Sequence, residues 1–314
     1  MVRAQIICSG ELADRVLEQL GSDPCVTNLA RFPGAAVRPA GDVIVADVAR
    51  EEASAVVLGL QRLGVTADGS ISLSQTSAEI SSGGRSAAVA ASGAEDDAVI
   101  WEEVHERTTE SADLSGVFLG LLDVAVMIGA VALLTQSEIL MVGAMVVGPE
   151  FGPLAGIVVG AVLGDALLVR RAARSLAAGI PLAVASTAAL VALLRWAGVP
   201  AGGYHPDGNA LSALVSMPDW SVVLVAILAG TAGILALTTA HAGALVGVLI
   251  SVATVPSMAG MGAAIAYADS GAFVEATVQL AANLTGIVVA GSVTLGVQRM
   301  LFARRYRRRH RSEA

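Results

Sequence analysis

Glu150 is the residue whose surroundings give it chemistry. It stands in Leu140-Met-Val-Gly-Ala-Met-Val-Val-Gly-Pro-Glu-Phe-Gly-Pro-Leu-Ala-Gly156, an apolar run long enough to span a bilayer. A carboxylate in hydrocarbon is costly, and Pro149 and Pro153 each remove a helix hydrogen bond. The three together mark broken backbone that lines a cavity or a protein contact. A buried carboxylate beside freed carbonyls and amides can take a proton or a cation. The alternative is a structural task, accepting hydrogen bonds from amides that the prolines set free, although a neutral glutamine would serve there without the charge.

Other polar residues fall in apolar surroundings. Asn283 can donate and accept in a dry site, and Gln279 lies one turn before it on the same face. Both types also serve as glue between helices. Asp123 lies in the first half of an apolar run and is expected to face protein. Asp165 and Asp269 end their runs, where helix termination explains them. His205 and Asp207 form no metal set with identifiable partners. Enzyme signatures are missing: the chain has no Gly-Lys-Ser/Thr phosphate loop, no His-Glu-x-x-His helix and no Cys-x-x-Cys pair. No catalytic group, cofactor, metal or nucleic-acid partner is expected.

The elements that hold these residues follow from composition. Hydrophobic residues make up 55% of 314 and mean hydropathy is +0.71, yet the charges gather in the first 113 residues and the last dozen. The net charge of −8 averages an acidic front and a basic tail, so it says little about partners. Cys8 and Cys25 suggest reduced thiols rather than a disulfide framework. The alternating, charged N-terminus is unlike a cleavable signal.

Residues 1–75 read as a ferredoxin-like α/β domain of order βαββαβ. Val2 to Cys8, Val26 to Phe32, Asp42 to Val48 and Ile71 with Leu73 are the strands. Leu12, Val16 and Leu20 repeat with helical spacing, as do Ala53, Val56, Val57, Leu60 and Leu63. Such a domain either senses a ligand or is a cytosolic cap without one. Residues 76–98 read as a flexible linker rich in Ser, Ala and Gly. Residues 99–113 read as a polar juxtamembrane helix whose acidity favours docking on protein over lipid.

Residues 114–300 carry six expected spans: Gly116 to Leu134, Ile139 to Leu163, Leu176 to Leu194, Val222 to Ala240, Ala242 to Ala268 and Phe273 to Val297. The chain has no lysine. Arg170, Arg171 and Arg174 follow span two, and six arginines lie between Arg304 and Arg311 in the basic tail, residues 301–314. Both clusters fall on one side, which the positive-inside rule makes cytoplasmic, together with both termini. The expected location is a bacterial-type plasma membrane. The tail attracts anionic lipid headgroups at roughly 1 kcal/mol per arginine.

The two halves resemble each other. A shift of 104 residues lays Gly129, Leu133, Thr135, Gly143, Ala155, Gly156 and Asp165 on Gly233, Leu237, Thr239, Gly247, Ala259, Gly260 and Asp269. Glu150 then falls on Thr254, where a partner hydroxyl is expected, and Pro153 falls within one residue of Pro256. Three spans per unit is odd, so the second unit inserts upside down. Inverted repeats with paired broken helices are the architecture of many secondary transporters. Gly156, Gly160 and Gly164, and likewise Gly243 and Gly247, make faces that a second backbone can approach, inside the chain or in a homodimer.

Gly143-Ala-Met-Val-Val-Gly-Pro-Glu-Phe-Gly-Pro-Leu-Ala-Gly156, Val255-Pro-Ser-Met-Ala-Gly260 and Asn283-Leu-Thr-Gly-Ile287 resemble the hydrophobic membrane proteins of domain-of-unknown-function family 389, over roughly residues 99–300. The resemblance implies that the Pro-Gly breaks belong to a shared core, and it implies no substrate. Glu150 replaces the apolar residue usual after the first proline, and Val255-Pro256 replaces the usual Pro-Pro pair. The reading is a membrane transporter or channel for an ion or small solute, proton- or cation-coupled through Glu150, with Pro149, Pro153, Thr254, Pro256, Asn283, Gln279 and Asp123 near the path. The alternative is a membrane-anchored signalling or scaffold protein whose α/β domain senses a cytosolic ligand.

Overall fold

The computed structural model describes residues 1–76, 81–91, 99–198, 220–239 and 245–312. They form two compact units, Met1–Val104 and His105–Ala314.

In the first unit β1 (Val2–Cys8), α1 (Gly10–Gly21), β2 (Val26–Val37), β3 (Ala40–Val48), α2 (Ala53–Arg62), α3 (Val65–Asp68) and β4 (Ser70–Gln75) follow one another. The sheet order is β2-β3-β1-β4 with every neighbouring pair antiparallel, so each helical connection passes over one intervening strand, the split βαβ arrangement. Alternation in β1 decides the face. Val2, Ala4, Ile6 and Cys8 are buried, whereas Arg3 and Gln5 are exposed. Val16 and Leu20 of α1 and Val56 and Leu60 of α2 join Ile6 and Ile44 in one core, each such side chain contributing about 1.5–3 kcal/mol on burial.

Two features depart from expectation. Strand β2 runs five residues past Phe32 to Val37. The segment read as a linker holds a helix, α4 (Ser82–Ala90), because the Ser81 hydroxyl accepts from the Gly84 amide at 2.8 Å and the residues that follow are alanine-rich. The acidic Glu95 to Asp97 stretch lies outside the described residues.

The division falls inside α5 (Trp101–Ala112). The second unit continues with α6 (Gly116–Thr135), α7 (Glu138–Val147), α8 (Phe151–Leu163), α9 (Ala166–Trp196), α10 (Trp220–Thr238), α11 (Leu245–Tyr267) and α12 (Ser270–Ser312). Leu122, Met141, Leu154, Val184, Met258 and Leu280 belong to one core. Many large apolar side chains point outward instead, among them Val117, Leu228, Val289 and Val293, and small residues make close contacts inside. That distribution suits hydrocarbon rather than water outside.

Among the described residues four helices, Gly116–Thr135, Ala166–Trp196, Trp220–Thr238 and Ser270–Arg304, are long and apolar enough to cross a membrane. The α7–α8 pair, bent by 51°, makes a fifth if taken as one span. The third expected span begins ten residues early, since Asp165 accepts from the amides of Leu167 and Leu168 at 3.0 Å each and starts α9 ahead of its arginines. The fifth corresponds to α11, and residues 242–244 at its expected start lie outside the described residues.

Here the structure corrects the expectation of two matched breaks. At Gly148-Pro-Glu the helix ends and restarts, whereas Pro256 lies inside a continuous α11. One proline costs a helix a single hydrogen bond and kinks it. Two prolines within five residues, with glycines between and before them, leave too few bonds to carry a helix through.

The helix ends nevertheless recur at one interval. Gly116 and Trp220 open α6 and α10, Leu163 and Tyr267 close α8 and α11, and Ala166 and Ser270 open α9 and α12, each pair 104 residues apart. The turns share their main features. Gly164 and Ala268 both take positive φ, +83° and +57°. The amide of Asp165 donates to the Gly160 carbonyl and that of Asp269 to the Ala264 carbonyl, at 2.8 and 2.9 Å. Both aspartates then accept from amides opening the next helix.

Candidate functional site at the helix break

Gly148 closes α7 with extended backbone, φ −60° and ψ 126°, and Glu150 returns to helical values as the residue before α8. Pro153 falls in the first turn of α8, where its missing N–H would have had no helical partner. The break therefore places the Glu150 side chain between a helix C-terminus and a helix N-terminus, and the side chain is 1% exposed.

Two hydroxyls from α11 meet it. Ser251 Oγ donates to Glu150 Oε2 at 2.9 Å, and Thr254 Oγ1 donates to Oε1 at 3.2 Å. Ser251 Oγ is also 3.3 Å from the Gly148 carbonyl oxygen. Ser251 and Thr254 are three residues apart, on one face of their helix, and both are fully buried. Gly148 has to be glycine: a Cβ there would run into the Glu150 carboxylate and lie 2.7 Å from Ser251 Oγ. No guanidinium or imidazole pairs with Glu150 among the described residues.

The structure brings Glu150 and Thr254 together and places Pro149 and Pro153 at the break. Pro256 is two residues beyond Thr254 on α11. Gln279 and Asn283 are buried in α12, and neither bonds to Glu150 among the described residues. Asp123 is half-buried in a different contact, between α6 and α9, where it accepts from the Ser186 hydroxyl. Ser251 was not singled out from the sequence, although its i−3 spacing from Thr254 was the available signal.

The glycine repeat on α8 serves packing within the chain. A Cβ at Gly156 would lie 2.7 Å from the Ala112 Cβ and 2.9 Å from that of Ala172, and one at Gly160 would lie 2.8 Å from Val169. Helices α5 and α9 thus lie against the α8 half of the break, and Ser175 Oγ donates to the Ala112 carbonyl at 2.7 Å. At the end of α8, His105 Nε2 is 3.0 Å from Asp165 Oδ2. The Leu168 amide and this imidazole hold the Asp165 carboxyl below its usual range. Gly243, His205, Asp207 and His241 lie outside the described residues.

Residues 145–289 match the family model described as Domain of unknown function (DUF389). Over that segment the chain is similar to the DUF389 family. The matched segment begins in α7 and ends in α12, so it contains Glu150, Ser251 and Thr254 together with Gln279 and Asn283. Its description carries no activity. No curated protein and no solved structure matches the chain.

Proposed function

We propose that the chain is a membrane transporter or channel for an ion or small solute, built as six spans in two inverted repeats, with proton or cation coupling at Glu150. One observation carries the reading: a carboxylate 1% exposed, at the centre of a bent apolar span, held by hydroxyls from the helix at the repeat-equivalent position. A protein built only for packing gains nothing from that charge. The recurrence of helix ends and turn bonds at 104 residues supports the duplication. Pro256 then stands for a kink where the first repeat has a break. Such a site, closed to solvent in this conformation, fits alternating access, in which one bundle moves against the other.

The chain is a multi-pass protein of a bacterial-type plasma membrane, with both termini cytoplasmic, no catalytic activity, no cofactor and no nucleic-acid partner. Its basic tail lies on anionic lipid, it works as a homodimer, and the α/β unit regulates it. In proteoliposomes the protein moves an ion or solute in a pH-dependent way, and Glu150→Gln alters that dependence. Flux with the same pH profile in both proteins rejects the coupling role.

The signalling or scaffold reading draws on the separate core of Met1–Val104. It requires a saturable metabolite on the full chain together with no flux.

A further inference from the structure

We infer that the α7–α8 break binds a small, hard, monovalent cation of the sodium class, on oxygen ligands from α11 as well as from the break. The inference deepens the transport reading and rests on it for purpose, while its chemistry rests on geometry alone.

The ligand set is all oxygen. Both carboxylate oxygens of Glu150, Oγ of Ser251, Oγ1 of Thr254 and the Gly148 carbonyl form a chain of contacts of 2.9, 3.2 and 3.3 Å. Carboxylate, hydroxyl and carbonyl oxygens suit hard cations rather than the transition metals that take imidazole or thiolate. Among the described residues no group of three His, Cys, Asp or Glu gathers anywhere, so the set carries one negative charge. A divalent ion is ordinarily matched by more carboxylates, whereas one carboxylate matches one positive charge.

The charge needs an answer. A buried carboxylate is retained only with a proton or a counter-charge, and among the described residues no basic side chain supplies one. The break supplies the rest of a cation site. The last carbonyls of α7 have no helical partners and form the negative end of that half-helix, the element that unwound transporter helices offer to sodium. These oxygens lie within hydrogen-bond reach of one another, so they can close as neighbours on one small hard cation, whose ligand distances are about 2.0–2.6 Å. Gly148 keeps the space open, since any side chain there would occupy it.

The test uses the full-length protein purified in detergent, with radioactive sodium binding and thermal midpoints in sodium, lithium, potassium and choline chlorides at equal ionic strength. Wild type binds sodium saturably and is stabilised by sodium and lithium over potassium and choline. Glu150→Gln abolishes this, Ser251→Ala and Thr254→Val weaken binding about tenfold, and Thr254→Ser retains it. If Glu150→Gln does not give monodisperse protein, the Thr254→Ser and Thr254→Val pair decides alone. Equal midpoints in sodium and choline at every pH, as a site holding only a proton would give, overturn the inference, and so does binding that survives Thr254→Val unchanged. Sodium binding without any flux from proteoliposomes removes the transport reading and leaves the ion site. Flux indifferent to sodium does the reverse.

Discussion

Gly148 shows how little freedom the break allows a single residue. Its missing side chain leaves room for the Glu150 carboxylate and Ser251 Oγ, so Gly148→Ala has to push one of them away. The expected result is a loss of about 1–3 kcal/mol from overpacking, read as a lowered thermal midpoint, together with a flux pH profile like that of Glu150→Gln. In the other unit Asp47 makes a comparable point outside the membrane. Its carboxylate is 1% exposed and accepts from Arg3 at 2.8 Å and from Asn28 at 2.8 Å. Arg3 chiefly, with Asn28, holds its pKa below the usual carboxylate value against the opposing effect of burial. A lowered folded-state pKa means that its stabilisation is present above the unfolded value, near 4, and is lost as pH falls through the folded value. Protection factors for hydrogen exchange along β1 and β3 should therefore fall as pH drops below about 4. Asp47→Ala should cost about 1–3 kcal/mol at neutral pH and flatten that dependence. Glu150 was legible as a residue because a charge in an apolar run has no ordinary explanation. Ser251 was not, because a serine in a membrane helix is common and only its neighbour across the packing gives it meaning.

Helix α8 depends on its small face. Gly156 admits Ala112 on one side and Ala172 on the other, so Gly156→Val separates α5 and α9 from the break. We expect a destabilisation of about 1–3 kcal/mol by thermal midpoint, against near-neutrality for Gly143→Ala, where a Cβ meets nothing within 4 Å. The glycine spacing pointed to close packing, and which helix would use it depended on the turn at Gly164. Element ends were well marked where a capping residue stood beside an apolar run, as at Ser115 and Ser137, whose side chains accept from the following amides, and were missed at Asp165, whose cap starts α9 ahead of its arginines. They were poorly marked where composition misled. The alanines of α4 read as linker, and Pro256 read as a break because a proline weakens a helix without saying whether neighbouring turns will carry it.

Across the whole molecule the arginines predict topology. With Arg170 to Arg174 and the tail on one side, a maleimide that cannot cross membranes should label cysteines introduced at Arg3 and at Ser312 only after the membrane is opened, with Cys8 and Cys25 themselves buried. Labelling of just one terminus in sealed cells would require an odd number of spans. The sequence by itself determined the division into an α/β front and an apolar back, the likeness of the segment 145–289 to DUF389, the place of the first break and the 104-residue interval. Each of these is written in local composition or periodicity, which the chain carries whatever its partners. Only the tertiary structure decided that the break meets Ser251 as well as Thr254, that Asp123 joins Ser186 instead, and that Pro256 lies inside a helix without ending it. Those are outcomes of packing, where residues a hundred positions apart compete for the same few ångströms.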